Sequence, residues 1–337
     1  MISEITSKSG WNTILNQVDT FDFYHTYDYH KISSAPELEK PILLVYENGK
    51  NLIAFPFIRR KIPNTNFYDL TSVYGYGGPI SKLNGTFDAN DYTAELQEFF
   101  EAKGIISVFS RLHPYIPQEK IISNLGNVEP LGKVVNIDVT LPQEESRRAY
   151  QKSLKNQVNK LRRTCTIRNA ENQKDILEFI DIYYENMKRL NASEHYFFNL
   201  DYFLDFMKQT DFKTEILLVE DLESGKAIAG SMFVMTKGFV QFHLSGTRTD
   251  FLRLKPSKLF LDEMRIEATN RNFKYFNLGG GFGSKEDSLF DFKSSFSKDF
   301  RTFKVWKHIV NKKVYTDLCK NINGVKDQNF FPLYRAN

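Results

Sequence analysis

The chain has 337 residues, 41% hydrophobic and 26% charged, with a mean hydropathy of −0.42 and a formal net charge of +4. Those proportions fit a globular chain long enough for two domains. They exclude a compositionally disordered protein, and the charge is too mild to announce a nucleic-acid-binding one on its own. The start, MISEITSKSGW, has no apolar signal-peptide core, and no window reaches transmembrane length, so a cytoplasmic protein without stable membrane insertion is expected. Cys165 and Cys319 lie far apart and show neither metal spacing nor a redox pair, which predicts two reduced thiols and no metal. With 30 Phe and 17 Tyr, much of the core is expected to be aromatic.

In chain order, a short helix is predicted around Trp11 to Val18, followed by the aromatic run FYHTYDYHKI. PILLVYENGKNLIAFPFIRRKI reads as a hairpin turning at Glu47 to Lys50. NFYDLTSV is a further strand and leads into Tyr74-Gly75-Tyr76-Gly77-Gly78-Pro79. A helix over Thr93 to Lys103, a strand over Ile105 to Arg111 and a strand over Lys133 to Thr140 complete a mixed α/β domain at 1–140.

The second domain, 141–337, starts with one long basic helix from Glu144 to about Arg163, then a strand near Thr164 to Arg168. Helix Lys174 to Leu190 and a helix over Asp201 to Lys208 flank the link NASEHYFFN. Glu215 to Glu220, Ala227 to Thr236 and Phe239 to Ser245 read as three successive antiparallel strands. Helix Ser257 to Asn270, strand Tyr275 to Leu278, a Phe-rich helix and strand Thr302 to Val310 follow.

The chemistry concentrates between Ser245 and Phe300. A strand ending in Ser245-Gly246 enters a loop bearing Arg248, Arg253, Leu254 and Lys255, and then the helix opening at Ser257 and Lys258. Helix N–H groups and the positive end of the helix dipole favour an anion there, and the cations add neutralising charge, so a diphosphate site is expected. The Gly279-Gly280-Gly281 exit allows close backbone approach. In the next helix Leu289, Phe292 and Phe296 form an apolar stripe with Lys293 beside it. In the first domain, the Tyr74–Pro79 loop suits a ligand with a base or sugar ring, and Arg111 and His113 could add phosphate or hydroxyl contacts. The basic helix with Arg147, Arg148, Lys152, Lys155, Lys160, Arg162 and Arg163 suits a polyanion, and His195 and Tyr196 are candidate cleft residues.

As a set, these stretches resemble the FemAB-like branch of the GNAT acyltransferase superfamily. The resemblance rests on YGYGGP at Tyr74, SRLHP at Ser110, YENMKRLNASEHYFF from Tyr184, GTRTDFLRLKPSKL from Gly246 and LGGGFGSKEDSLFDFKSSFS from Leu278. It implies two GNAT-like α/β domains, each a mixed, mostly antiparallel sheet flanked by helices, with the active site in a cleft between them. It also implies transfer of an acyl group to an amine. Ser245, Gly246, Arg248, Arg253, Leu254, Lys255, Ser257 and Lys258 match the coenzyme A diphosphate region of GNAT folds. Lys293 matches the lysine of the F-K-x-x-F element of peptidoglycan-bridge enzymes. The short Q/R-x-x-G-x-G/A loop of simpler GNAT enzymes is absent.

The leading expectation is N-acylation of a dTDP- or UDP-linked amino sugar by acyl-coenzyme A for surface polysaccharide. Amine attack on a thioester requires proton removal and oxyanion stabilisation. Backbone N–H groups on Gln241 to Ser245 are candidate oxyanion donors; Asp287, Glu286 or His243 are candidate bases, and Lys293 balances charge. Tyr74, Tyr76, Arg111, His113 and Tyr196 are the expected substrate contacts. The alternative is aminoacyl transfer from tRNA to a peptidoglycan precursor; a third reading is a non-catalytic ligand-binding protein. Direct transfer is expected over an acyl-enzyme because neither cysteine has a recognisable His partner.

Overall fold

The computed structural model describes residues 2–320 and 330–336. It separates into two units, 1–132 with 302–337, and 133–301. The C-terminal segment therefore returns to the first unit, whereas the sequence suggested a single cut after 140. The cause is a strand pairing of long sequence separation, which local pattern cannot reveal.

The first unit contains β1 (Ile2–Ile5), α1 (Lys8–Leu15), α2 (Tyr27–Ile32), β2 (Glu39–Asn48), β3 (Asn51–Lys61), β4 (Tyr68–Thr71), β5 (Ile80–Leu83), α3 (Ala89–Ala102), β6 (Ile105–Arg111) and α4 (Glu119–Ile122). β7 (Asn127–Asp138) begins there and passes into the second unit at Lys133. The sheet runs β1-β2-β3-β4-β6, with β5 also on β3, and the C-terminal strand antiparallel to β6 through Val305↔Arg111 to Ile309↔Ser107. β4 and β6 are parallel; the other pairs of this unit are antiparallel. Trp306, Phe55, Phe57, Leu96 and Phe100 anchor its core.

The second unit continues with α5 (Gln143–Arg148), α6 (Lys152–Thr164), β8 (Cys165–Asn169), α7 (Gln173–Arg189), α8 (Leu200–Lys208), β9 (Lys213–Asp221), β10 (Ala227–Thr236), β11 (Phe239–Thr247), α9 (Ser257–Asn270), β12 (Tyr275–Gly279) and α10 (Ser288–Ser294). β13 (Asp299–Ile309) and α11 (Lys312–Cys319) lead back into the first unit. The expected long basic helix is two helices, because the chain leaves helical geometry at Gln151 (ψ 145°). Strand order is β7-β12-β11-β10-β9-β8, with only β11 and β12 parallel. β10 is buried along its whole length, as its near-continuous apolar sequence requires.

The apolar faces of α6, α9 and α10 close over one side of this sheet. Leu154, Val158 and Leu161 meet Leu259, Phe260, Met264, Phe290 and Phe296 in one cluster with Val240 and Phe276. α7 lies against a pair of registered glycines, Gly230↔Gly246. A Cβ on Gly230 would sit 2.7 Å from Phe179, and one on Gly246 2.7 Å from the Ile182 carbonyl oxygen. Gly246 thus seats a helix backbone, a packing requirement that operates independently of any phosphate.

Beneath the α5–α6 break, Asp262 accepts bonds from Tyr150 (3.0 Å) and Arg162 (2.6 Å) and pairs with buried Arg265 (3.1 Å). Arg265 also reaches Tyr150, Ser146 and the Gln143 carbonyl. The buried Asp262–Arg265 pair therefore ties α5 and α6 to α9.

Candidate functional site

The phosphate-type loop is built on β11, a 3-10 turn over Thr249–Leu254, and α9. Lys255 turns the chain with a left-handed φ of 56°, and Pro256 starts the helix. No side chain caps α9, and its first turn contains no acidic residue. Arg253 and Lys255 are exposed, while Leu254, Ser257 and Lys258 are half-buried. The Lys258 ammonium donates to Gln157 of α6, and burial followed by the neighbouring Lys255 charge lowers its pKa. Ser245 pairs in register with Ser231.

Arg248 has a different environment. Its guanidinium holds Asp181 (2.9 Å) and Glu185 (3.2 Å) of α7 and donates to the Ala227 carbonyl (3.0 Å). The Thr249 N–H donates to Glu185, chiefly through which the Glu185 carboxyl is held below its usual range. Arg248 ties the loop to α7, leaving Arg253 and Lys255 as its exposed cations. Asp181 and Glu185 were missed from sequence; their i,i+4 carboxylate spacing on α7 was the available signal.

β11 and β12 are registered only from Phe239↔Tyr275 to Gln241↔Asn277, where the Asn277 amide donates to Gln241 (2.8 Å). Beyond this point the β10–β11 register shifts, leaving His243 as an extra residue between Phe242 and Leu244. Phe242 joins the core cluster beside Phe260. His243 lies against α8, with Nε2 2.8 Å from the Tyr202 hydroxyl and its ring 5.0 Å from Phe206. Burial lowers its pKa to about 4, so it is neutral at physiological pH.

The glycine exit is tightly packed. Asp287 Oδ1 accepts the N–H groups of Leu289 (3.1 Å) and Phe290 (3.0 Å), and Oδ2 accepts that of Phe282 (3.1 Å). These bonds, led by that from Phe290, hold its carboxyl below the usual range. A Cβ on Gly281 would fall 2.0 Å from the Lys285 carbonyl oxygen and 2.3 Å from Asp287, so only glycine fits. Asp287 thus caps α10 and fastens the loop to it; such a carboxylate is a poor proton acceptor. Glu286, the other carboxylate considered, pairs with Lys133 at 2.8 Å.

α10 buries Phe290, leaves Phe292 half-buried and exposes Leu289 by 41%, and Phe296 is buried just beyond its end. The expected stripe of Leu289, Phe292 and Phe296 is therefore not the buried face of α10, whose buried residues are Phe290, Lys293 and Ser294. Lys293 points inward. It is 7% exposed; its ammonium donates to the Gly280 carbonyl at 2.6 Å and lies 5.8 Å from the Phe242 ring centroid. Burial lowers its pKa to about 8, partly opposed by the Asp287 charge. The partner role of Gly280 was not visible in sequence, since a backbone carbonyl leaves no mark there.

In the first unit, His113 is buried with Nε2 3.1 Å from buried Asp22, and its N–H donates to Gln118 (2.7 Å). The Tyr115 N–H donates to its Nδ1. Tyr76 packs edge-on against Tyr24 and Phe303, whereas Tyr74 is 69% exposed with the Arg111 guanidinium 5.1 Å from its centroid. Tyr196, in the second unit, accepts the Tyr183 hydroxyl on its carbonyl, and His195 is exposed beside it. Among the described residues no cluster of metal-ligating side chains occurs, both cysteines are free, and no helix is long and apolar enough to cross a membrane.

Residues 209–303 match the model of the FemAB family. That segment contains β9 to β12, the cationic loop, Gly280, Asp287 and Lys293. No curated protein sequence matches the chain. Among solved structures, FemX is similar with a TM-score of 0.72 at 9% identity, over 93% of this chain and 99% of that one. The L-PGS of Bacillus licheniformis follows at 0.60 and 14%, over 93% and 95%. The C-terminal domain of a putative lysylphosphatidylglycerol synthetase from Agrobacterium fabrum gives 0.55 and 13%, over 91% and 94%. The mixed α/β architecture in two units expected from sequence is the one found; it shares its fold with FemX, and residues 209–303, which include the Lys293 site, match the FemAB family model.

Proposed function

We propose that this chain is a transferase that moves an aminoacyl group from charged tRNA to an amine of a peptidoglycan precursor, with Lys293 as the charge-stabilising residue. The observation carrying this reading is the buried lysine ammonium, tethered to Gly280 beside the open end of the β11–β12 pair. The FemAB match over the same residues supports it, because the bridge enzymes that the sequence resembles use aminoacyl-tRNA. The leading sequence expectation, a nucleotide-linked amino sugar, receives no comparable support.

In the proposed reaction the neutral amine attacks the ester carbonyl, forming the C–N bond and placing negative charge on the carbonyl oxygen. Collapse breaks the bond to the ribose oxygen, and the amine proton ends on the departing hydroxyl. Lys293, with a pKa of about 8, is mostly protonated at pH 7 and supplies a charged donor to that oxyanion. A preorganised donor of this kind contributes about 3–4 kcal/mol. His243, whose pKa of about 4 makes it a weak base, is bonded to Tyr202 of α8, and Asp287 is committed to its cap, so neither is assigned as base. Exposed Arg148, Lys152, Lys160, Arg163, Arg253 and Lys255, all in the second unit, provide the positive surface that a polyanionic donor needs.

A second reading keeps acyl-coenzyme A as donor. It draws on the acid-free N-terminus of α9 with Lys255 and Lys258 beside it, which suits a diphosphate. The two are separated by incubating the protein with labelled aminoacyl-tRNA and a muramyl-peptide precursor, and in parallel with acetyl-coenzyme A and a UDP-linked amino sugar. Label in the peptide precursor supports the proposal. Acetyl transfer alone supports the second reading, and no transfer in either arm refutes an enzymatic role with these donors.

A further inference from the structure

We infer that the cleft between the β8–β9 edge and the C-terminal half of α9 binds a free α-amino acid with an apolar side chain, held by its ammonium and its carboxylate together. The cleft lies wholly in the second unit and has a volume of about 370 Å³, within the range of small-molecule sites. One wall is Glu263, Glu267 and Arg271, the last being the residue that caps the C-terminus of α9. The site is thus at the other end of that helix from Arg253, Lys255 and the diphosphate-type loop. Ile167 of β8 and Leu217 of β9 give it an apolar floor that belongs to the core cluster.

The internal ion pairs leave one charge of each sign unanswered on this wall. Glu215 serves two cations at once, Lys213 at 2.5 Å and Arg271 at 3.0 Å. Both bonds from Arg271 to it start at Nη1, so Nε and Nη2 keep their N–H groups without a partner among the described residues. The Phe273 ring, 5.4 Å from the guanidinium carbon, fixes the plane of that fork. The half-buried Glu267 carboxylate likewise has no partner among the described residues. Glu263, one turn earlier, is taken by Arg162 at 2.9 Å, and Arg168 is committed to Asp175, Glu178 and Glu220. Glu267 and Arg271 are i,i+4 neighbours, with Cβ atoms about 5–6 Å apart. A ligand carrying an ammonium and a carboxylate on one carbon answers both with charge-assisted hydrogen bonds. A bare anion would meet the Glu267 charge, and a bare cation would leave the Arg271 fork empty. The third substituent on that carbon then meets the Ile167–Leu217 floor, which selects an apolar side chain.

The inference requires no transfer chemistry, so its test is separate from the aminoacyl assay. NMR titration of the full chain with L-leucine, N-acetyl-L-leucine, L-leucinamide and glycine reads each part of the ligand in turn. Leucine should bind, and the N-acetyl form, the amide and glycine should each bind about ten-fold more weakly or worse, having lost the ammonium, the carboxylate and the apolar group respectively. Glu267→Gln should weaken leucine by about ten- to a hundred-fold and leave the N-acetyl form unchanged. Arg271→Gln should weaken leucine comparably and leave the amide unchanged; if it fails to fold, the Glu267→Gln protein supplies the reading alone. The inference is overturned if wild type does not bind leucine, if it binds leucine no better than the two blocked forms or glycine, or if a folded Glu267→Gln protein binds leucine as wild type does.

Discussion

Replacing Lys293 by Met removes a buried ammonium while keeping much of the side-chain volume, and the protein should become more stable at neutral pH. The pKa falls from the usual 10.5 to about 8 in the folded chain. At 1.36 kcal/mol per unit, the folded state spends about 3 kcal/mol holding that proton at pH 7. The variant also leaves the Gly280 carbonyl without its 2.6 Å donor, a loss of roughly 1 kcal/mol. A net gain of about 2 kcal/mol is expected. The sign has a pH signature. Between about 8 and 10.5 the unfolded lysine keeps its proton and the folded one has released it, so wild-type stability rises with pH relative to the variant. Urea denaturation of both proteins across pH 7 to about 10.5 measures the difference. A Met variant less stable at pH 7, or a difference that ignores pH, would show that Lys293 is not a strained buried cation.

Other outcomes follow from the second unit. Asp262→Ala leaves Arg265 buried without its carboxylate and should cost about 3–5 kcal/mol in thermal or urea unfolding. Gly281→Ala cannot be accommodated against Asp287 and the Lys285 carbonyl, so it should disrupt the loop and abolish transfer in the aminoacyl assay, while Asn48→Ala, at the β2–β3 turn of the first unit, does not. Joint Arg253→Ala and Lys255→Ala changes should weaken tRNA binding and flatten its salt dependence in filter-binding titrations; an unchanged slope would remove the loop from the polyanion contact.

Much of the second unit was legible because its local signals agree. Pro256 and the 3.6-residue periodicity place α9 at Ser257–Asn270, as read from sequence, while apolar runs mark β9 and β10 and apolar–polar alternation over Val240 to Leu244 marks β11. Lys293 stood out as a cation on an otherwise phenylalanine-rich segment. What stayed hidden depends on partners distant in sequence. Arg248 was read as a phosphate ligand because its carboxylates lie more than sixty residues earlier, on α7. His113 looked accessible at a strand end, but its partner is Asp22, 91 residues away. Asp287 is the local exception: three backbone N–H groups within five residues of it make it a cap, a role that a carboxylate's place in the sequence does not separate from that of a base. The return of β13 to β6 is likewise a register that only the assembled sheet defines.

The central claim is that the protonated Lys293 ammonium stabilises the transferring centre. Single-turnover transfer from labelled aminoacyl-tRNA to the muramyl-peptide precursor, followed against pH for wild type and Lys293→Met, tests it most directly. The account predicts a rate that falls as pH rises through about 8 in wild type, with a loss of roughly a hundred- to a thousand-fold in the folded variant at pH 7. A Lys293→Met protein that transfers at the wild-type rate, with the same pH profile, would contradict it.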